Sequence, residues 1–564
     1  MAAMPFEPTD IVVGGGSAGC VIAARLSEDP ARRVLLVEAG ADCVPGAVPA
    51  DIRDTYAGHA FNNASYFWPA LKRQAGSDAT LREFRYEQAR ILGGGSSING
   101  QVALRGAPRD YDRWAELGAA GWDWEGVLPY FRKLESDRDF ATAMHGRDGP
   151  IPIGRIPPSA WDDFTRSVVE NWKQAGHRER LDMNGTFEDG YAAIPLANDG
   201  TQRVSTAVGY LTPAVRQRPN LAIWTDTEAR RVLFDGRRVA GVEVQREGRL
   251  VQVRGARVVL CAGALHTPWL LLRSGVGAAE HLAQHGVAVV HDLPGVGRNL
   301  QDHPSISISA YLPAHVRRRP ALRHNYVNLV YSSGERDCPS HDMVMMVVVK
   351  SAWHEVGERL GTLSTYVGKS YSRGTVSLDA GAPEASPRVR FNWLADPRDL
   401  GRLAASFRFM ASLLTTGPVP ANATDPFTVG FSEKVKRLGR KTPANRMLTW
   451  LAARSLDSSA WVRGWMIRNV IAGGTRVDAL ARDPAALGHY VREATTGIWH
   501  PCGTCRMGRA DDPASVTDAR GQVLGIGGLV VADASVMPEI PTNNLNVPTI
   551  MVAEKIADML RAEE

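Results

Sequence analysis

Hydrophobic patterning is clearest near the start of the chain. The apolar run IVVG (residues 11–14) leads into the glycine-rich turn GGGSAG (14–19), and a run of small and apolar residues, CVIAARLSED (20–29), ends before Pro30. This order predicts a strand, a tight turn and a helix. A second apolar run, RVLLVEAG, predicts a strand that ends at Glu38. The chain is therefore expected to begin with an α/β unit.

The glycines of this turn have the spacing of a dinucleotide-binding loop. Gly14 suits the sharp turn, Gly16 the close approach of a pyrophosphate, and Gly19 the close packing of helix on strand. Glu38 follows the second strand, where it can accept hydrogen bonds from an adenosine ribose. A glycine-rich chain also produces this spacing by chance, but the strands, the helix and the acid together favour a dinucleotide site. The pattern does not separate NAD from FAD.

Two further stretches combine small residues with apolar ones. Residues 89–106, ARILGGGSSINGQVALRG, are either a surface loop or a place where backbone N–H groups approach a flat or anionic ligand. Residues 261–277, CAGALHTPWLLLRSGVG, predict the end of a strand, a short turn, and a helix that begins at Thr267 and Pro268 and ends at glycine.

Composition narrows the class of protein. The chain has 564 residues, 44% hydrophobic and 22% charged, so several globular units are expected rather than a fibrous or disordered protein. A net charge of +5 gives no general case for nucleic-acid binding. The N-terminal sequence lacks the pattern of a secretory signal, and no apolar run reaches the roughly 18 residues needed to cross a bilayer. A cytoplasmic location is the resulting expectation.

Residues 434–468 depart from the near balance of charges elsewhere. They contain nine Lys or Arg, one acid and three tryptophans. One interpretation is a solvated helical insertion or a lid over an active site. The other is peripheral contact with an anionic membrane, at its inner face, through the basic and tryptophan side chains.

The stretch WHPCGTCRMG (499–508) holds a histidine and a Cys-x-x-Cys pair, Cys502 and Cys505. A zinc site needs four ligands, usually from a second such pair, and the sequence has none. A redox pair normally begins a helix with its first thiol exposed. Packing of both thiols is therefore favoured over redox or metal roles, and no metal is expected.

Four separated motifs resemble the glucose-methanol-choline family of flavin oxidoreductases. They are GGGSAG with VEAG; ARILGGGSSIN; GALHTPWLLLRSGVG with LPGVGRNLQDHP (293–304); and WHPCGTCRMG with VVADASVMPEIPTNNLNVPTIMVAEKIADML. The motifs lie in the family's order and span nearly the whole chain. This combination is far more specific than a single glycine motif.

The resemblance implies an α/β fold, with a Rossmann-like FAD-binding domain and an inserted antiparallel-sheet substrate domain. The expected division is 7–310 for the FAD-binding part, 311–494 for the substrate part, and 495–564 for a C-terminal return to the FAD domain. The resemblance implies FAD contacts at Gly14, Gly16, Ser17, Ala18, Gly19, Glu38, Ala39, Leu92, Gly94, Ser96, Asn99, Gly100, Val102, Val232 (against the adenine), Trp499, Asp533, Ala534, Asn546 and Pro548.

The resemblance also implies the catalytic residues. His500 occupies the family's base position, where a neutral imidazole takes the alcohol proton while hydride passes to flavin N5. Asn544 occupies the second polar position, where it can hold the substrate oxygen but cannot titrate. The alternatives are a structural histidine and an asparagine that caps the next helix. Some members bind FAD covalently through a histidine at the position of Ile98, so non-covalent FAD is expected here.

The implied reaction is oxidation of a primary or secondary alcohol, by a dehydrogenase rather than an oxygen-using oxidase, with quinone or oxygen as acceptor. The region before HDMVMMVVV (341–349) lacks an obvious carboxylate for a quaternary ammonium, which weakens choline as substrate. Three rivals are a hydroxynitrile lyase on the same scaffold, a nicotinamide dehydrogenase, and a degenerate flavoprotein that serves as an interaction subunit. Candidate pocket residues, each with core packing as the alternative, are Trp68, Tyr326, Trp353, His354 and Trp499.

Overall fold

The computed structural model describes residues 6–75, 82–318, 323–379, 381, 384–430, 433–472 and 474–562. A five-stranded parallel sheet forms one layer, and the first strand of the chain lies at its centre. Its strands are short runs of buried aliphatic residues, as expected for a sheet covered on both faces. In spatial order they are Leu529–Val531, Arg257–Leu260, Asp10–Val13, Val34–Val37 and Leu221–Trp224.

Helices from both ends of the chain cover this parallel sheet. Ser17–Leu26 follows the glycine turn and packs against the C-terminal helix Asn546–Arg561. The C-terminal helix also packs against Trp124–Leu134, which Asp123 caps by accepting a hydrogen bond from the Gly126 N–H. The C-terminal helix therefore packs with helices from the N-terminal part of the chain.

A larger antiparallel sheet forms the second layer and has its own hydrophobic core. Helix Pro397–Thr415 packs on three of its strands. Thr496–Gly497 adds to the sheet by pairing with Pro304–Tyr311. The other strands, in spatial order, are Thr424–Val429, Pro304–Tyr311, Leu360–Val367, Met343–Val349, Asn325–Tyr331 and Gly190–Ala193.

These two sheets confirm the predicted fold class, an α/β fold that combines a Rossmann-like unit with an antiparallel sheet. Gly190–Ala193 and Pro304–Tyr311 belong to the antiparallel sheet although they precede residue 311. The domain limits at 310 and 494 stay a prediction, because membership of a sheet does not by itself delimit a domain.

The remaining strands form four small sheets, and short helices connect the layers. The small sheets contain Thr227–Asp235, Arg238–Arg246 and Arg249–Arg254; Thr375–Ser377, Arg388–Arg390, Lys72–Ala75 and Arg82–Arg85; Glu135–Asp137, Ile151–Gly154 and Leu196–Ala197; and Val276–Gly277 with His291–Asp292. The other α-helices are Ala50–Arg53, Gly58–Phe61, Gly95–Ile98, Pro108–Glu116, Asp163–Gln174, Thr206–Gly209, Pro213–Arg216, Gly263–Arg273, Ala279–Gln284, Glu355–Glu358, Val419–Asn422, Glu433–Leu438, Pro443–Ser458, Ala460–Met466, Val477–Arg482 and Pro484–Ala494.

The predicted start of one helix is wrong. The helix expected to begin at Thr267 and Pro268 begins at Gly263, so that Pro268 lies inside it. Proline cannot donate to the carbonyl four residues earlier, that of Ala264, and this carbonyl instead accepts a hydrogen bond of 2.7 Å from the Thr504 hydroxyl. A distant side chain thus compensates for the missing N–H group.

Among the described residues, no helix has both the length and the apolar character needed to cross a bilayer.

Candidate active site

The principal cavity, of about 570 Å³, lies at the carboxyl ends of the parallel strands, where open α/β sheets bind ligands. Val13, Val37 and Cys261, at or beside the ends of three adjacent strands, line it. Its lining includes both Glu38, which follows the second parallel strand, and His500. One cavity therefore joins the glycine turn of the Rossmann-like unit to the C-terminal motif.

The three glycines of the first turn have distinct geometry. Gly14 has a φ of +99°, and a Cβ there would lie 2.6 Å from the Cys261 carbonyl oxygen. A Cβ on Gly19 would lie 1.8 Å from the Gly14 carbonyl oxygen, so the helix packs too closely on the turn for any side chain. Around Gly16, by contrast, no atom lies closer than 3.9 Å to such a Cβ. The backbone at Gly16 is thus open to the cavity at the N-terminus of a ten-residue helix, a favourable position for a phosphate.

Glu38 lies at the other side of this turn. Its carboxylate accepts hydrogen bonds from the Gly15 N–H at 2.8 Å and the Gly40 N–H at 2.7 Å. Burial raises the pKa of the carboxyl group, while these two N–H groups act in the opposite direction. The carboxylate is therefore held in a fixed orientation at the wall of the cavity.

Most of the predicted site residues meet at this cavity. Those that line it are Gly14, Gly16, Ser17, Ala18, Glu38, Ala39, Gly94, Asn99, Gly100, Val102, Trp499, His500, Asp533, Ala534, Asn544 and Asn546. Those that do not are Gly19, Leu92, Ser96, Val232 and Pro548.

Val232 is the member of the second group with the most specific prediction. It is buried, and its N–H donates to the Ser274 hydroxyl at 2.9 Å. Three residues nearer the start of the same strand, Thr227, Glu228 and Ala229, line the cavity instead. The start of this strand thus lines the cavity, whereas Val232, predicted to lie against the adenine, does not.

Strand pairing brings two histidines together at the far end of the cavity. Gly497 pairs with Pro304 in the antiparallel sheet, so that His500 and His303, which follow and precede these strands, become neighbours. The Nδ1 atoms of the two rings are 2.9 Å apart. The Nε2 atom of His303 lies 2.9 Å from the Pro541 carbonyl oxygen, which can only accept, so this Nε2 carries a proton.

This chain of hydrogen bonds determines the tautomer of His500. Since neutral His303 is protonated at Nε2, its Nδ1 accepts, and the Nδ1–H of His500 must donate to it. The Nε2 atom of His500 is then an unprotonated base at the cavity. Burial lowers the pKa of His303 to about 3, and burial together with His303 lowers the pKa of His500 well below 6.5. Both rings are therefore neutral at neutral pH.

Asn544 completes the arrangement. Its side-chain amide nitrogen donates to Nε2 of His500 at 3.2 Å, and its Oδ1 is buried without a hydrogen-bond partner in the described structure. The residue lies just before the C-terminal helix Asn546–Arg561. A ligand hydroxyl placed between Nε2 of His500 and the Asn544 amide could therefore bind to both groups.

Asp302 fixes the backbone beneath the two histidines. Its Oδ1 accepts hydrogen bonds from the backbone N–H groups of His500, at 2.9 Å, and His303, at 2.8 Å. Trp499 has a φ of +61°, a conformation that is strained for a bulky residue. Burial raises the pKa of Asp302 to about 7, against the effect of its N–H donors. Strain beside His500 is thus balanced by a buried hydrogen-bond network.

Aromatic and basic side chains border the cavity near His500. The rings of Phe61 and Trp499 meet edge to face with centroids 5.1 Å apart. Lys350 also lines the cavity, with its ammonium group 4.6 Å from the centre of the Tyr56 ring. The one acid that we find among the described lining residues near Trp499 is Glu87, and Lys436 lies 3.0 Å from its carboxylate. Lys350 in turn lies 3.9 Å from the carboxylate of Glu358. The cavity wall is therefore aromatic here, and the charged side chains beside it are paired.

The candidate pocket aromatics fall into two groups. Trp68, His354 and Trp499 line the cavity, whereas Tyr326 and Trp353 do not. Tyr326 is buried in the core of the antiparallel sheet, and Trp353 donates from Nε1 to the Gly439 carbonyl at 2.6 Å. The core alternative is therefore correct for Tyr326.

Cys502 and Cys505 are buried and unpaired. Burial raises the pKa of both thiols, so they are protonated at neutral pH and poor nucleophiles. Their backbone is more informative: Cys502 exchanges two hydrogen bonds with Gln301, each 3.1 Å. The pair thus packs beside the turn that carries His500.

Sequence reasoning had given no role to Asp302, His303 or Lys350. The first two lie in the motif LPGVGRNLQDHP, which was used only as a sign of resemblance. The one feature of the sequence that could have indicated a role for them is that an acid and a histidine stand next to each other just before a strand. Their function depends on contacts with residues about 200 positions away, which a single sequence does not reveal.

The fold and site define a dinucleotide-binding oxidoreductase in which a histidine base faces the ligand cavity. Family models described as GMC oxidoreductase match residues 9–305 and 370–553. A 5-(hydroxymethyl)furfural oxidase of Methylovorus sp. (strain MP688) is 40% identical, and the match covers 98% of this chain and 98% of the relative. An oxygen-dependent choline dehydrogenase of Chromohalobacter salexigens is 33% identical, and the match covers 98% of this chain and 95% of the relative. The crystal structure of pyridoxine 4-oxidase from Mesorbium loti is similar, with a TM-score of 0.77, 27% identity, and coverage of 99% of this chain and 100% of that chain.

The chain therefore belongs to the GMC oxidoreductase family, and its cofactor is FAD. The cavity fits such a group: a Cβ on Gly95 or Gly263, both of which line it, would meet no atom within 4 Å. The open backbone at Gly16 suits the pyrophosphate, and the carboxylate of Glu38 suits the ribose.

Proposed function

We propose that this protein oxidises primary aromatic alcohols, such as aryl- or furanyl-methanols, with non-covalently bound FAD. The observation that carries the proposal is the hydrogen-bond chain from Pro541 through His303 to His500, which leaves a basic nitrogen at the cavity. When bound, the flavin supplies the hydride acceptor. Ile98, an aliphatic residue at the cavity wall, offers no nucleophile for a covalent bond to the flavin.

The side chains divide the work of proton removal. Nε2 of His500 accepts the proton of the substrate hydroxyl, and Asn544 donates from its amide to the oxygen as negative charge develops. His303 keeps Nδ1 of His500 protonated through both steps. The low pKa of His500 keeps the base neutral at neutral pH.

The charge of the cavity supports an aromatic rather than a quaternary ammonium substrate. Glu87, the acid beside Trp499, is already paired with Lys436 and is therefore not free to hold a cationic substrate. Lys350 adds a positive charge at the cavity wall, which Glu358, 3.9 Å away, offsets in part. Phe61 and Trp499 offer ring surfaces instead. The name of the furfural oxidase, at 40% identity, agrees with this preference more closely than does that of the choline dehydrogenase.

We propose oxygen as the electron acceptor, in place of the dehydrogenase expected from sequence. Support comes from the names of two relatives, one an oxidase and one an oxygen-dependent dehydrogenase. The alternative acceptor is a quinone.

A set of three benzyl alcohols tests the substrate class. The FAD-loaded protein is mixed without oxygen with benzyl alcohol, 4-carboxybenzyl alcohol and 4-(trimethylammonio)benzyl alcohol, and bleaching of the flavin is followed. The neutral and anionic alcohols are expected to bleach it, and the cationic one to react at least tenfold more slowly. In Lys350→Met this difference should shrink several-fold, because the repelling charge is gone. Admission of oxygen should then restore the oxidised spectrum and release hydrogen peroxide.

The outcomes separate the rivals. Turnover of a cyanohydrin without any bleaching would support a lyase and contradict the proposal. Bleaching that persists under oxygen but is reversed by a soluble quinone would show a dehydrogenase. Faster reaction of the cationic alcohol would move the substrate class to quaternary ammonium compounds.

A further inference from the structure

Residues 433–471 carry most of the exposed apolar side chains of the described chain. They form helices Glu433–Leu438, Pro443–Ser458 and Ala460–Met466, followed by a π-helical turn, Ile467–Ile471. We call this segment the apolar hairpin. Of the thirteen large apolar side chains exposed in the described residues, the nine in the hairpin are Val435, Met447, Leu448, Trp450, Leu451, Trp461, Trp465, Val470 and Ile471.

The longest helix of the hairpin has apolar residues on two opposite faces. Thr449, Ala453 and Leu456, spaced four and three residues apart, are buried on its inner face. Met447, Leu448 and Leu451 have the spacing of a second stripe, and all three are more than half exposed. A helix that is apolar on both sides is normally covered on both sides. We therefore expect the outer stripe to be covered, either by a lipid surface or by another molecule.

Two tryptophans extend this stripe. Trp461 and Trp465 lie one turn apart on the next helix, with 75% and 48% of their surfaces exposed. The two helices pack against each other. Exposed indoles are costly in water but favoured at the boundary between lipid headgroups and acyl chains.

Positive charge surrounds the apolar stripe. The hairpin cations that form no ion pair among the described residues are Arg437, Arg440, Lys441, Arg446, Arg454 and Arg468. Asp457 of the hairpin does not balance them, because Arg317 and Arg359 from outside the hairpin pair with its carboxylate. The surface thus combines exposed apolar side chains with a local excess of positive charge.

We propose that the apolar hairpin docks this protein onto the surface of an anionic lipid bilayer. The apolar stripe and the indoles enter the headgroup boundary, and the arginines and lysines contact the lipid phosphates. A second copy of the chain is the less favourable occupant, because two copies of a positively charged face would repel each other. The apolar side chains alone would fit either occupant, and the charge decides between them.

The docked surface adjoins the mouth of the active-site cavity. Val435 is 43% exposed and also lines the cavity, as does Gly439. Lys436, which contacts Glu87 and the Arg85 carbonyl, and Trp353, which donates to the Gly439 carbonyl, hold the hairpin there. Docking therefore directs the cavity mouth toward the bilayer, from which an apolar alcohol could enter.

Vesicle binding by the full-length, FAD-loaded protein tests the proposal. Sedimentation is measured with vesicles of phosphatidylcholine alone and with equal parts of phosphatidylglycerol. Binding to the anionic vesicles is expected to be at least tenfold tighter, and to weaken as salt is raised. Leu451→Glu should lose at least tenfold of this affinity. The matched control is Leu250→Glu, another leucine that is exposed but lies outside the hairpin, at 63% against 51%, and it should bind as the native protein does.

Three results would overturn the proposal. They are absence of binding to anionic vesicles, equal loss of binding in the two leucine variants, and a native protein that is dimeric in solution but becomes monomeric on Leu451→Glu without any vesicle binding. If Leu451→Glu does not fold, Trp461→Ser serves in its place. Flavin reduction by a soluble alcohol without vesicles should be unchanged in the folded variants, so this test is independent of the proposed oxidation.

Discussion

His303 determines which nitrogen of His500 carries the proton. An isolated imidazole divides its proton between two nitrogens, and only the form with a free Nε2 presents a base to the cavity. The Pro541 carbonyl imposes that form, because it accepts from His303 and leaves Nδ1 of His303 as an acceptor. We therefore assign His303 as a positioning residue that acts through His500.

Substitutions of His303 test this assignment. His303→Leu removes the acceptor for Nδ1–H of His500, and flavin reduction is expected to fall about 100-fold or more, within the ~10²–10⁴ range of general-base catalysis. His303→Asn can place a carbonyl oxygen near the former Nδ1 position, so it should retain more of the rate. Rapid mixing with benzyl alcohol under anaerobic conditions measures both, and the flavin spectrum reports correct folding. Native rates in the leucine variant would show that His303 is only a packing residue.

Among single residues, those that belong to a recognisable motif could be predicted from the sequence as candidates for the site. His500, Asn544 and Glu38 line the cavity as expected, because their positions follow from nearby sequence. The role of His303 was missed, because it depends on a carbonyl 238 residues away. Val232 does not line the cavity, although the start of its strand does, and the register shift between Ala229 and Arg231 is not visible in the sequence.

One buried ion cluster joins several elements of the fold. Strand Glu135–Asp137 contributes two carboxylates to His145, with Glu135 Oε1 3.0 Å and Asp137 Oδ2 3.2 Å from Nδ1. Asp182 lies 2.7 Å from Nε2, and Arg155 pairs with Asp137 and Asp182 at 3.0 Å each. Although Glu135, Asp137 and His145 could together hold a metal ion, the protein's own cations already balance these carboxylates.

The protonation of His145 makes the cluster sensitive to pH. Burial would lower its pKa, but hydrogen bonds to Asp137, Asp182 and Glu135 outweigh burial and raise the pKa to about 10. With a folded pKa above the unfolded value of about 6.5, the stabilisation is fully present below pH ~6.5 and is lost as the pH rises through about 10.

We therefore predict that stability falls between pH 7 and 10, and that His145→Gln removes much of this slope. At pH 6.5 the substitution should cost about 3–5 kcal/mol, the range for breaking a buried charge pair. The free-energy difference between the native protein and the variant should shrink as the pH approaches 10. Urea unfolding at several pH values measures it, with His285→Gln as a control outside the cluster. A constant difference across this range would contradict the assigned protonation.

Element boundaries were predictable where the signal was local. The helix Ser17–Leu26 ends before Pro30 as expected. For the helix that contains Pro268, the predicted start lay four residues after the observed one, Gly263, because proline is most common in the first turn of a helix. Here the Thr504 hydroxyl satisfies the Ala264 carbonyl, and Asp533 accepts hydrogen bonds from the Gly263 N–H and the Thr267 hydroxyl. Both partners come from the C-terminal part of the chain.

For the whole molecule, the site arises where the two sheets meet. The parallel sheet supplies the glycine turn and Glu38, and the antiparallel sheet supplies the adjacent ends that carry His303 and His500. The first two parallel strands were readable from their apolar runs. The antiparallel sheet was expected only from family resemblance, because its strands pair across long sequence separations that periodicity does not encode.

The charge around the cavity could not be predicted from the sequence, because it depends on side chains from distant parts of the chain. Glu87 and Lys436 are about 350 residues apart, yet their side chains are 3.0 Å apart beside Trp499. Lys350, which follows strand Met343–Val349, also lines the cavity, and its ammonium group lies 3.9 Å from Glu358. The arrangement of charges around the cavity thus follows from the assembled fold alone.

The central claim is that His500 is the base for alcohol oxidation, and the rate of anaerobic flavin reduction tests it most directly. His500→Ala, with its FAD absorbance intact, is mixed with benzyl alcohol, and His285→Ala, whose histidine does not line the cavity, serves as control. We predict that the rate falls about 10²–10⁴-fold in His500→Ala and stays native in His285→Ala. A rate in His500→Ala within about tenfold of the native value would contradict the claim.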